Sequence, residues 1–159
     1  MPDKKASPAA WIAGAALAVV AAAILVSFLA SARKRSNLGR CSWNLVQIGI
    51  ALRGGDLFDS PRWDGLPCGR AFLAGRERWP MRQRRELDLA CPVRGGRDIG
   101  YRGPARSLRQ IGLDEPVCAD RPGNHGPGAG GNVLRKTGEV VAAAEGDPLW
   151  SLAAQTTSD

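Results

Sequence analysis

Between Trp11 and Ala32 the sequence has no charged residue, and elsewhere the residue types that build active sites are scarce. There is one histidine, His125, and no Ser/His/Asp or Cys/His arrangement follows from spacing. Its expected role is a loop histidine that shapes or caps a glycine-rich segment, and the chain is not expected to be an enzyme. The four cysteines, Cys41, Cys68, Cys91 and Cys118, are spaced 27, 23 and 27 residues apart with no Cys-x-x-Cys pair. Zinc sites draw ligands in close pairs, so no metal is expected. Aromatic residues make up only 6% of the chain, whereas glycine (20) and proline (11) are abundant. Such a composition suits a small loop-rich fold with a modest core. A nucleic-acid surface needs stacking aromatics beside concentrated positive charge. The net charge is +7, but the nearest candidate is Arg76 to Arg85, where Trp79 sits among five arginines. A solvated arginine-rich loop accounts for that stretch, so neither nucleic acid nor a small-molecule substrate is an expected partner.

What the sequence does contain is a single long helical pattern from Trp11 to Arg53. Its first part, Trp11 to Ala32, is 22 apolar or small residues long. At the helical rise it reaches roughly 33 Å, enough to cross a hydrocarbon layer of about 30 Å. Arg33, Lys34 and Arg35 mark the exit. Beyond them Leu38, Cys41, Leu45, Ile48 and Leu52 fall at steps of 3, 4, 3 and 4, one face of an amphipathic helix. Gly54-Gly55 supplies the stop. A cleavable signal peptide is the competing reading, because Ala30-Ser31-Ala32 fits a small-x-small cleavage pattern. The apolar run is longer than the usual signal core, and the amphipathic pattern resumes almost at once, so an uncleaved anchor is expected. A buried helix of a soluble protein is the remaining alternative. Gly14, Ala18 and Ala22 recur every fourth residue, the small-xxx-small spacing that lets helices approach closely in lipid; an alanine-rich helix also shows it by chance.

The predicted organisation is a short cytoplasmic tail (1–10, with Pro2 and Pro8 opposing helix), a transmembrane helix (11–32), a domain (33–145) and a loosely held tail (146–159). Turn signals punctuate residues 56 to 80, with Ala71-Phe72-Leu73 as a short docking piece and Trp63 as a packing residue. Leu87, Leu89, Cys91 and Val93 alternate with Asp88, Ala90 and Pro92, the period of a half-buried strand ending at the proline. Gly95-Gly96 turns the chain, and Ile99 and Tyr101 begin a second strand. A short helix is expected within Pro104 to Leu113, a strand over Pro116 to Asp120, and a hairpin in which Asn132–Leu134 and Glu139–Ala143 flank Lys136-Thr137-Gly138. In the tail, Trp150 and Leu152 are candidates for docking. Gly126-x-Gly128-x-x-Gly131 matches a dinucleotide fingerprint formally, but no long strand leads into it and Pro127 sits inside it. No Gly-Lys-Ser/Thr triplet follows either, and no cofactor is expected.

Four well-separated cysteines in a small domain behind a membrane span fit two disulfides. Four cysteines allow three pairings, and spacing does not choose among them. A weak preference falls on Cys68–Cys91 with Cys41–Cys118, because Cys68 and Cys91 both lie outside the stem. Topology decides whether the thiols oxidise. Positive charge is heavier after the span than before it, which by the positive-inside rule leaves the domain in the cytoplasm.

Three stretches point the other way. Cys41-Ser-Trp-Asn-Leu-Val-Gln-Ile-Gly-Ile-Ala-Leu52, Ala90-Cys91-Pro92-Val93 followed by Tyr101, and Asn124-His125 through Gly131-Asn-Val-Leu134 to Thr137-Gly138-Glu-Val-Val141 are the motifs concerned. Together they resemble bacterial pilin-like proteins, the type II secretion pseudopilins and relatives with a His-x9-Asp-Gly signature near the C-terminus. His125, Asn132 and Gly138 occupy signature positions. Thr137 stands where that signature has aspartate, and eleven residues rather than nine separate it from His125. The resemblance implies a pilin-like α+β fold, with a stem helix packed on a small antiparallel sheet. It also implies a single-pass protein of the cytoplasmic membrane, N-terminus inside and domain outside. Expected partners are the membrane and other pilin-like or secretion-apparatus subunits. The alternative is an anchored, non-polymerising domain that presents arginine-rich loops to an acidic partner. Gly14 is followed by alanine and no glutamate occurs as far as Ala32, unlike the leader and early helix of such subunits. The expectation is a full-length anchored subunit that associates laterally at most.

Overall fold

The chain is described by a computed structural model covering residues 8–53, 61–79, 87–93 and 97–152. Its architecture is α+β, and it divides into two units, Met1–Ser36 and Asn37–Asp159.

Helix α1 runs from Pro8 to Arg53 without interruption. It starts earlier than the expected Trp11, because proline at the first helical position lacks only a donor that would be unpaired there anyway. So Pro8 opens the helix instead of opposing it. The helix ends at Arg53 as expected, whereas Gly54-Gly55 lies outside the described residues. Within the first unit the apolar side chains stay open: Trp11 is 73% exposed, Ile24 65% and Phe28 69%. This is a helix long and apolar enough to cross a membrane. Within the second unit the heptad-like face is buried, with Cys41, Leu45, Ile48 and Leu52 fully covered and Leu38 half-buried.

The sheet is an antiparallel meander in the order β1 (Tyr101–Arg102), β2 (Pro116–Asp120), β3 (Gly131–Arg135), β4 (Val140–Ala143). Both predicted hairpin strands are present, joined at a turn where Gly138 takes φ +87°. Alternation sends successive side chains to opposite faces. On one face Cys118 and Leu134 join Leu45, Ile48 and Leu52 of α1 in the main core. On the other, Ala119, Val133 and Ala143 pack with Trp150 of α3 (Pro148–Leu152). Within the tail, Pro148–Leu152 is thus helical and docked through Trp150, while Leu152 itself is exposed. Gly49 lets α1 lie close to the sheet, since a Cβ there would meet Leu134 Cδ1 at 3.0 Å.

Three aromatic residues close the main core. Trp63 and Trp79 flank Phe72 of α2 (Gly69–Ala74), with Phe72 and Trp79 centroids 4.9 Å apart. The Trp79 indole N–H donates to the Phe72 carbonyl at 3.2 Å. The Pro104–Leu113 piece contains a single 3₁₀ turn, Leu108–Gln110, with Leu108 and Ile111 buried.

One expected strand is not there. Over 87–93 the alternation does bury Leu89 and Cys91, but pairing reduces to a lone antiparallel bridge, Ala90↔Ile99. The backbone N–H of Ala90 is taken by Asp88 Oδ1 at 3.0 Å, and the chain turns at Pro92-Val93. A local side-chain acceptor and a missing proline donor together remove the ladder. The Gly95-Gly96 turn lies outside the described residues.

Candidate functional site

The polar residues of the second unit converge at the end of β2. Antiparallel register pairs Ala119 with Val133, which sets Asp120 beside the start of β3. Between them residues 121–130 form a loop with successive tight turns, Asn124 N–H to Arg121 C=O and Gly126 N–H to Gly123 C=O. The loop returns under tight constraint at Gly130. That residue adopts φ +66°, and a Cβ there would lie 2.0 Å from the Ala143 carbonyl. That close approach is the structural role of Gly130 in the glycine-rich segment.

Asp120 is the organising group. Its Oδ2 accepts from the Asn132 backbone N–H at 2.7 Å and the Asn132 side-chain amide at 2.8 Å, and pairs with His125 Nε2 at 2.7 Å. The histidine side chain is 2% exposed and the carboxylate fully buried. Asn124 extends the cluster, its side-chain amide donating to the Gly100 carbonyl, while Arg121 N–H donates to the same carbonyl at 3.0 Å. Arg102 lies near enough to feel Asp120. Its guanidinium sits 4.2 Å from the Trp150 ring centroid and reaches the Trp150 carbonyl at 3.4 Å. Burial lowers its pKa to about 10, and the charge of Asp120 opposes that shift.

Helix α1 brings Cys41 into this centre. Its Sγ lies 3.4 Å from Cys91 Sγ. The ligand atoms of Cys41, Asp120 and His125 fall within 4.8 Å of one another, and all three residues are buried. Among the described residues this is the donor set able to hold a metal ion, and it joins Cys41 to two residues five positions apart at the end of β2 and in the loop that follows. Asp120 Oδ1 and His125 Nδ1 have no protein hydrogen-bond partner among the described residues. The same three residue types also make a nucleophile, a base and an orienting acid. The environment works against that chemistry. Burial, and then the charge of Asp120, push the Cys41 thiol up, whereas an attacking thiol needs a lowered pKa and access to substrate. Burial likewise pushes the Cys118 thiol and the Tyr101 phenol up.

His125 and Asn132, both singled out from the sequence, therefore meet on one carboxylate. Gly138 does not belong to that cluster; it shapes the β3–β4 turn at the far end of β3. All four cysteines are thiols in the structure, and Cys41 faces Cys91 where the preferred pairing set it with Cys118. Cys68 is exposed ahead of α2, and Cys118 is buried in the middle of β2. Gly14, Ala18 and Ala22 lie on the exposed first unit, where a Cβ on Gly14 would meet nothing within 4 Å. Sequence reasoning missed Asp120 and Arg102. An aspartate closing an otherwise apolar strand, Pro116-Val-Cys-Ala-Asp120, was the available signal, since strand interiors disfavour it.

Neither a family model, nor a curated protein, nor a solved structure matches this chain.

Proposed function

We propose that the chain is a membrane-anchored, pilin-like structural or assembly protein of a secretion or pilus-type envelope apparatus, with its domain outside the cytoplasmic membrane. One observation carries this reading. A single uninterrupted helix supplies both an apolar stretch exposed on every side and the central core element of an antiparallel α+β domain. An apolar stretch followed by a helix that serves as the core element of a small antiparallel domain is what the resemblance to pilin-like proteins implies. The buried polar centre supports a structural role as well, since it joins the glycine-rich loop, β2 and β3 around one carboxylate. The apolar segment holds no carboxylate of its own, so association within the membrane relies on close packing of small residues such as Gly14, Ala18 and Ala22.

Two measurements test the proposal on the full chain. A reporter active only outside the cytoplasm, fused after Asp159, should be active; an inactive fusion of an intact protein sinks the orientation. Cross-linking in native membranes should yield discrete adducts that vanish when residues 11–32 are replaced by an unrelated apolar helix. Monomer alone in native membranes would sink the assembly role.

A further inference from the structure

We infer that Cys41 and Cys91 are joined by a disulfide in the mature protein, while Cys118 stays a thiol. The inference rests on the placement of the domain outside the cytoplasm, where disulfides persist.

The two thiols are in direct contact with sulfurs 3.4 Å apart, and closing that gap by about 1.4 Å gives a bond of about 2.05 Å. They are the one pair of cysteine sulfurs in contact among the described residues. The surrounding backbone holds them there. Asn44, one turn along α1, donates its side-chain amide to the Ala90 carbonyl at 3.5 Å. On the far side Gly100 backs directly onto Cys91, and a Cβ at Gly100 would fall 2.4 Å from Cys91 Cβ. Gly100 N–H donates to the Leu89 carbonyl at 2.7 Å. The segment 89–91 is thereby clamped between α1 and residues 99–100 ahead of β1, with only a single bridge of its own to hold it. A covalent link to α1 replaces the missing strand pairing.

The chemistry is an exchange with a disulfide donor, such as a thiol–disulfide oxidoreductase or glutathione disulfide. The thiolate of one cysteine attacks a donor sulfur, forming a mixed disulfide and releasing one donor thiolate. The thiolate of the other cysteine then attacks the protein sulfur and releases the second. The two cysteines lose two protons and two electrons, and the donor disulfide is reduced to two thiols. Both cysteines are buried in the folded chain, and burial keeps the Cys41 thiol protonated. Exchange therefore occurs while the chain folds, before α1 closes over segment 89–91, and the finished bond is sheltered from reductants.

The test uses full-length chain purified from membranes in detergent. It is unfolded, alkylated with iodoacetamide without reduction, digested and analysed by mass spectrometry. A parallel sample is fully reduced, then refolded in detergent with glutathione and glutathione disulfide. The expected result in both is a peptide pair linked through Cys41 and Cys91, with Cys118 alkylated. In native protein, reduction of the link by dithiothreitol should be at least tenfold slower than in denaturant. Alkylated Cys41 and Cys91 in both samples overturn the pairing, as does a Cys41–Cys118 link. Alkylation in the native sample alone, with the Asp159 reporter inactive, overturns the mature disulfide because the placement is wrong. The same result with the reporter active overturns it without touching the placement. Unlinked sulfurs accompanied by one divalent ion per chain in the native mass spectrum overturn it in favour of coordination by Cys41, Asp120 and His125.

Discussion

The two parts of α1 are made by one helical rule and held by different physics. In residues 11–32 any apolar side chain serves, because the requirement is length and freedom from charge. In residues 37–53 the same helix must present Cys41, Leu45, Ile48 and Leu52 to particular neighbours, and Gly49 must stay small against Leu134. Tolerance in the first part and intolerance in the second are what the comparison teaches.

The strongest way to break the second part is at its carboxylate. Asp120→Ala leaves His125 Nε2 and two Asn132 donors without their acceptor. A loss of about 4 kcal/mol is expected, because three groups lose the one buried acceptor they share. Denaturant unfolding followed by the fluorescence of buried Trp63 and Trp79 measures it. A loss under about 1 kcal/mol would show that the network is not what holds the loop.

A paired substitution tests the contrast itself. Leu45→Ala should cost the domain about 3 kcal/mol, since a fully buried leucine leaves a cavity. Val20→Ala should leave unfolding unchanged, because Val20 is exposed and belongs to neither core cluster. Val20→Arg should instead lower membrane insertion by about 3 kcal/mol, read as the fraction of chain carried into membranes. Equal effects of Leu45→Ala and Val20→Ala on unfolding would erase the distinction.

Smaller is the expected effect at Gly130. Alanine there must take a left-handed φ and approach the Ala143 carbonyl, for a cost of about 2 kcal/mol in the same unfolding assay. An unchanged midpoint would mean that the loop has room to relax.

The smallest expected effect is a pH dependence at Glu115. Its bond from the Arg106 guanidinium, with a second from the Gly112 N–H, lowers its pKa below the ordinary 4.5. The folded value is the lower one, so the contribution is fully present above the ordinary value. It disappears as pH falls through the depressed one. Glu115→Gln should therefore shift the unfolding midpoint slightly at neutral pH and not at strongly acid pH. Both side chains are partly exposed, so solvent screening keeps the effect small. A difference that persists in strong acid would assign it to packing rather than charge.

Much of the secondary structure was legible because it depends on neighbours in sequence. The helix from the apolar run to Arg53, the strand Pro116–Asp120 and the hairpin across Lys136-Thr137-Gly138 all follow from periodicity and turn chemistry. The strand at 87–93 was not, because Asp88 and Pro92 divert its backbone hydrogen bonds while leaving the apolar alternation intact. Within the site, His125 and Asn132 stood out from the sequence, yet nothing in it named the group that joins them.

By itself, then, the sequence determined an apolar helix able to cross a membrane, its amphipathic continuation and a small antiparallel hairpin. Each is written in the spacing of residues one to four apart. Only tertiary structure decided that Cys41 meets Cys91, 50 residues away. It alone decided that Asp120 gathers His125 and Asn132, and that Arg102 lies over Trp150. Those contacts depend on how strands register and which helix face meets the sheet. Local spacing carries no record of that choice, because a buried polar group is satisfied by whatever partner the fold brings to it.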